Sequence, residues 1–146
     1  MDKKQLKEVL KDFPKKLDLS NSDLSTATAQ QPNLYFYFAQ LYHKANSEAS
    51  ICKDKVELCT AEIHKKLKRS VLPPGVKITE RLITSVAVDD PVWQGINQKM
   101  RESEYCAGVL NSACRALEHR RDMLINLGAT ARAELVSEIK TNKQGV

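Results

Sequence analysis

Long apolar runs are missing from this chain. None exceeds a few residues, far short of the ~20 needed to span a bilayer, so no membrane partner is expected. Aromatic residues are scarce, at 5%, which argues against an aromatic-rich sheet core. Five glycines and five prolines are spread over 146 residues, and so little punctuation suits few, long elements in one domain. No apolar signal-peptide stretch follows the basic segment Met1 to Lys4, and a cytosolic chain is expected. Also missing are a phosphate-cradling Gly-x-x-x-x-Gly-Lys-Ser/Thr loop, a Gly-x-Ser-x-Gly elbow and a paired-histidine metal motif. His43, His64 and His119 stand far apart and read as solvated or edge histidines. With no catalytic constellation, neither an enzyme nor a cofactor is expected.

Cysteine is present without a metal pattern. Cys52 and Cys59, then Cys106 and Cys114, are too widely spaced within each pair for a zinc knuckle. They read as small residues of a helix interface. A metal-binding regulator using cysteines and histidines is a third, weaker functional class.

What the chain does have is helical periodicity. Leu6, Val9, Leu10 and Phe13 make a short amphipathic helix that should stop near Pro14. Lys3, Lys4, Lys7, Lys11, Lys15 and Lys16 lie in or beside it. Asp18 to Gln31 reads as a polar linker with one weak turn over Leu24 to Ala29, capped by Ser22 or Asp23. Pro32 suits the first position of a long helix. Leu34, Phe38, Leu41, Ala45, Ala49, Cys52, Val56, Cys59, Ile63 and Leu67 form its apolar face, which ends at Arg69 before Ser70-Val71-Leu72-Pro73-Pro74-Gly75. Thr79 caps a short helix through Val86. Asp89 and Asp90 precede Pro91, the start of a second long helix. Its seam is Trp93, Ile96, Met100, Ser103, Ala107, Leu110, Cys114, Leu117, Arg121 and Leu124. Gly128 should close it as a C′ glycine. A last short helix is expected over Thr130 to Lys140.

A helix of about 37 residues is about 55 Å long, whereas a compact globule of this size is roughly 38 Å across. Tyr35, Phe36, Tyr37, Tyr42, Val92, Val109 and Ile125 fall off the seams or at their edges. Burying each is worth about 1.5–3 kcal/mol, so self-association, closing cyclically, is expected. Arg121 on the seam needs a partner or water, unless the supercoil drifts and turns it to solvent.

Formal net charge is +5, with a sequence pI near 9.0. The densest positive charge is His64-Lys65-Lys66-Leu67-Lys68-Arg69. The helix dipole favours cations in a last turn, by about 0.3–1 kcal/mol each. One or two would serve that purpose, so capping and phosphate contact both stay open. Arg115, Arg120 and Arg121 form a second basic zone, roughly 45 Å from Pro91 along the helix. In the run Leu34-Tyr35-Phe36-Tyr37-Phe38 some rings must face outward. They serve either subunit packing or base stacking, worth ~1–3 kcal/mol per base.

The order of parts resembles the UvsY-type recombination mediator proteins of bacteriophages. It runs from QPNLYFYFAQLYHKA through EIHKKLKRS to DDPVWQGINQKMRESEYCAGVLNSACRALEHRRDMLINLGATARAEL. The strongest match is Val92 to Leu135, above all ALEHRRDMLINLGA. The resemblance implies a cyclic homo-oligomer, a hexamer or heptamer, acting in DNA recombination and repair in the host cytoplasm. It implies binding of single-stranded DNA, and loading of a RecA-like recombinase onto strands covered by single-strand-binding protein. It puts DNA contact on Lys66, Lys68 and Arg69, with Lys65 adjacent. Arg120 and Arg121 are the further candidates. Oligomerisation would fall on the seam (Trp93, Ile96, Met100, Ala107, Leu110, Leu117, Leu124) and on the tail with Leu135. The lysine-rich N-terminal helix and the Pro73-Pro74-Gly75 turn depart from the family pattern.

The expected architecture is all-α: a long antiparallel helical hairpin with short N- and C-terminal helices, in a cyclic homo-oligomer. Residues 1–31 would be a short basic helix and polar linker, 32–140 the oligomerisation and DNA-binding hairpin, and 141–146 a frayed tail. The alternative is a non-enzymatic helical scaffold or adaptor that binds protein partners only.

Overall fold

The computed structural model describes residues 1–20, 23–71, 73 and 75–144. These form helices and no strand among the described residues: α1 (Lys3–Leu10), α2 (Phe13–Leu17), α3 (Leu24–Arg69), α4 (Glu80–Asp89) and α5 (Pro91–Gln144). The chain divides into two compact units. One contains Met1–Lys3 and Tyr42–Gly108; the other contains Lys4–Leu41 and α5 from Val109 onward.

In the first unit the two long helices run antiparallel. Trp93 at the start of α5 meets Thr60 near the end of α3, and Ile51, Cys52 and Lys55 share a groove with Lys99, Glu102 and Ser103. Ala45, Ala49, Ile63, Cys106 and Ala107 are buried there. The small residues among them let helix backbones approach closely. The expected caps hold: the Leu82 N–H donates to Thr79 Oγ1 at 3.3 Å. The N–H groups of Val92 and Trp93 donate to Asp90 Oδ1 at 2.8 and 3.0 Å. These bonds satisfy orphan donors at two helix starts. Between α3 and α4 the Val76 N–H donates to Pro73 O. Gly75 takes φ of +87°, a conformation that suits glycine.

In the second unit the pairing is again antiparallel, since Ala27 and Gln31 of α3 meet Arg120 and Leu117 of α5. Phe38, Leu110, Leu117 and Leu124 are buried. Phe13 of α2 packs edge-on to Phe38, with ring centroids 4.7 Å apart.

Several boundaries differ from expectation. The first long helix begins at Leu24, and Pro32 lies inside it. Asp23 is the cap, accepting from the Thr26 N–H at 3.0 Å; Ser22 lies outside the described residues. The buried Ala27 and Gln31 carry the helix upstream: tertiary packing outweighs the weak helix preference of Leu24 to Gln31. Pro14 opens α2 instead of ending a helix, where its missing N–H costs little. Gly128 does not terminate α5, and the separate helix expected over Thr130 to Lys140 is part of α5. Among the described glycines only Gly75 has positive φ, so Gly128 lacks the left-handed geometry of a C′ cap. At the tail, 141–144 continue α5, while Gly145 and Val146, like Leu72 and Pro74, lie outside the described residues.

Candidate nucleic-acid interface

Lys65, Lys66, Lys68 and Arg69 sit together on the last turns of α3 and are all exposed. Two neighbours fix the direction of this turn. Ile63 is buried, and the Trp93 indole N–H donates to Thr60 Oγ1 at 3.0 Å. The Thr60 hydroxyl in turn donates to Val56 O at 2.8 Å. The helix is thus anchored one turn before its basic end.

Two of the terminal carbonyls of α3, those of Lys66 and Leu67, have Ser70 as partner. The Ser70 N–H reaches Lys66 O and Leu67 O at 3.1 and 3.2 Å, and the Ser70 hydroxyl donates to Leu67 O at 2.8 Å. The four cations therefore make none of these capping bonds. None forms an ion pair among the described residues. A dipole effect through space remains, but it is small and screened. The result is a solvated group of positive charges on a rigid element.

The second basic zone falls in the other unit and resolves into two unlike residues. Arg120 is 4% exposed. Its Nη1 donates to Gln31 Oε1 and, at 3.4 Å, to Ala27 O. Burial pushes its pKa down. Arg120 is therefore corrected from a phosphate-facing candidate to a core residue. Gln31, expected in a linker, is its buried partner, and donates in turn to Leu117 O at 2.6 Å. Arg121 is exposed and pairs with Asp122 at 2.9 Å. The hydrogen bond to Asp122 raises the Arg121 pKa. The buried stripe of α5 steps from Leu117 to Arg120 to Leu124, because 3.6 residues per turn allow a step of three where four was expected.

The oligomerisation set also divides. Ala107, Leu110, Leu117 and Leu124 are buried within the chain's own units, so intrachain packing already covers them. Trp93, Ile96 and Met100 are half-buried. Leu135 is 58% exposed, and Met123, Ile125, Leu127, Val136 and Ile139 of the same helix are exposed with it. Of these, Ile125 lines a groove of about 990 Å³ in the second unit. Its lining includes Leu24, Pro32, Leu117 and Ile125, with Arg121 and Arg132 and the carboxylates Asp23 and Glu118.

The cysteines are all free; Cys106 and Cys114 are buried, Cys52 and Cys59 half-buried. Burial pushes up the Cys59, Cys106 and Cys114 thiols, which disfavours the reactive thiolate at neutral pH. No group of three or more metal-ligating side chains occurs among the described residues. Nor is any helix among them long and apolar enough to cross a membrane.

No family model matches the chain, and no curated protein or solved structure matches it.

Proposed function

We propose that this chain is a non-enzymatic recombination mediator that binds single-stranded DNA as a homo-oligomeric ring. It promotes loading of a RecA-like recombinase onto strands covered by single-strand-binding protein. The observation that carries the reading is the basic end of α3: four exposed cations, without ion pairs among the described residues, on a turn where Ser70 takes the Lys66 and Leu67 carbonyls. The resemblance to UvsY-type mediators supports the same positions, Lys66, Lys68 and Arg69, with Lys65 beside them. Copies arranged in a ring would repeat this charge around a collar. A strand lying on the collar releases counterions in proportion to the phosphates neutralised. The strand is then held extended, while the competing binding protein is displaced and the recombinase enters.

Self-association is supported by the exposed apolar residues of α5 beyond Met123. The occupant we assign to the groove beside Ile125 is the end of α5 from a second copy. That segment offers Leu135, Val136 and Ile139 to the apolar side chains of the groove, and Glu134 and Glu138 to Arg132, whereas Arg121 is already paired with Asp122.

The test is a salt titration of oligonucleotide binding. For single strands the slope of log K against log salt changes by ~0.7 for each phosphate that is no longer neutralised. Lys66→Ala, Lys68→Ala and Arg69→Ala together should flatten it by roughly two units. An unchanged slope in a correctly folded, still assembled triple variant removes these residues from the site. The same exposed apolar surface suits a scaffold that binds only proteins. Absence of any gel shift, even at low salt, selects that reading instead.

A further inference from the structure

We infer that a second contact for single-stranded nucleic acid lies in the unit that holds α2, where Lys16 stands beside the exposed ring of Tyr37, with Lys15 next to it on the same helix. The inference takes its ligand class from the function proposed above and adds a site on a different element.

The five residues Leu34 to Phe38 have different surroundings. Phe38 is buried against Phe13. Leu34 is half-buried. Tyr35 donates its hydroxyl to Glu118 at 3.1 Å. Phe36 and Tyr37 are left 62% and 46% exposed; consecutive helix residues point about 100° apart, and Tyr37 is the one that meets α2. The Tyr37 ring stands edge-on to Phe38, with centroids 5.3 Å apart and planes at 88°. A fully buried ring thus sets the orientation of an exposed one. Fixing a ring in advance lowers the entropy cost when a base stacks on it.

Docking of Phe13 on Phe38 brings Lys16 of α2 to the same place. Lys16 Nζ lies 6.0 Å from the Tyr37 centroid and 5.9 Å from that of Phe38, at the outer limit of cation–π attraction. Its ammonium is held near the rings without being consumed by a carboxylate among the described residues. Lys15 pairs with Asp12 at 3.3 Å, with both side chains largely exposed, and a phosphate can displace so weak a pair. From Lys3 to Lys16 the sequence has six lysines and two acids.

An exposed ring beside a lysine fits a nucleotide, which has a π-face to stack and a phosphate to neutralise. An acidic peptide would use the lysines and leave the rings idle. Sequence periodicity shows the lysines and the aromatic run separately; the α2 docking contact is what joins them.

The experiment compares a deoxythymidine oligonucleotide with an abasic sugar–phosphate oligomer of equal length, by fluorescence anisotropy at fixed salt. Tyr37→Leu should weaken binding of the deoxythymidine oligomer by about tenfold, leaving the abasic oligomer unchanged. Tyr37→Trp in place of Tyr37→Leu should restore affinity. Lys15→Ala with Lys16→Ala should flatten the salt slope by about 1.4 on both oligomers. Equal behaviour of the ring variant and the wild type on both oligomers overturns the inference. So does displacement of DNA by a polyglutamate peptide from the wild type but not from the lysine variant, when the ring variant retains full affinity. The triple variant at Lys66, Lys68 and Arg69 separates the two sites. If it keeps the wild-type slope while the ring variant loses deoxythymidine affinity, the α3 end falls and this contact stands. The reverse pattern sinks this contact alone.

Discussion

A guanidinium taken out of water without a carboxylate costs several kcal/mol unless hydrogen bonds compensate. Arg120 is in that position: among the described residues its partners are the amide oxygen of Gln31 and the carbonyl of Ala27, and its Nε is unpaired. Removing one member of such a network strands the other. Gln31→Leu should therefore destabilise the fold by about 2–3 kcal/mol. Arg120→Met should cost about 1 kcal/mol, because removing the buried charge offsets part of the missing hydrogen bonding. The double replacement should lie within about 1 kcal/mol of wild type, far from additive. Urea denaturation of the four proteins measures this cycle. Additive effects would mean that the two side chains act independently. Arg120→Met should also leave the salt slope of DNA binding unchanged, since a core arginine neutralises no phosphate.

At the scale of elements, Gly128 separates a helix end from a helix interior. A C′ glycine in the left-handed region cannot be replaced by alanine without strain. Gly128 instead lies inside α5, and an added Cβ would meet only the Arg132 side chain, at an ordinary 3.7 Å. Gly128→Ala should stabilise the protein by about 0.5–1 kcal/mol in thermal or urea melts; destabilisation would mean that α5 ends there. Gly128, Pro32 and Pro14 have this in common: each is a helix breaker by local rule, and each stands where the fold continues or starts a helix. Boundaries with a local chemical cause were legible: the end of α3 at Arg69, the Thr79 cap and the Asp90–Pro91 start all fall as expected. The upstream turns of α3 were not legible, because their cause is distant. Ala27 and Gln31 are buried by α5 residues some ninety positions along the chain. The basic end of α3 was legible for the same reason as its boundary. The Arg120–Gln31 network and the Lys16–Tyr37 patch required the fold.

For the whole molecule, the question is what the apolar end of α5 does in water. Burying one large aliphatic side chain is worth about 1.5–3 kcal/mol, and Leu135, Val136 and Ile139 are all exposed in the single chain. If a second copy covers them, folding and association are linked, and the melting temperature rises with protein concentration. The mass in solution should be a multiple of 16.4 kDa. Leu135→Gln with Ile139→Gln should lower it to the single-chain value with little change in helical circular dichroism, since glutamine sustains a helix well. The concentration dependence of melting should vanish with it. Affinity for a long oligonucleotide should then fall more than affinity for a short one, because a ring engages successive stretches of one strand at high effective concentration. Sedimentation of the wild type and the variant, each with and without oligonucleotide, reads all of this. A wild type that stays at 16.4 kDa across the working concentration range would rule out the ring, and a positively charged collar built from repeated α3 ends would have to be given up with it.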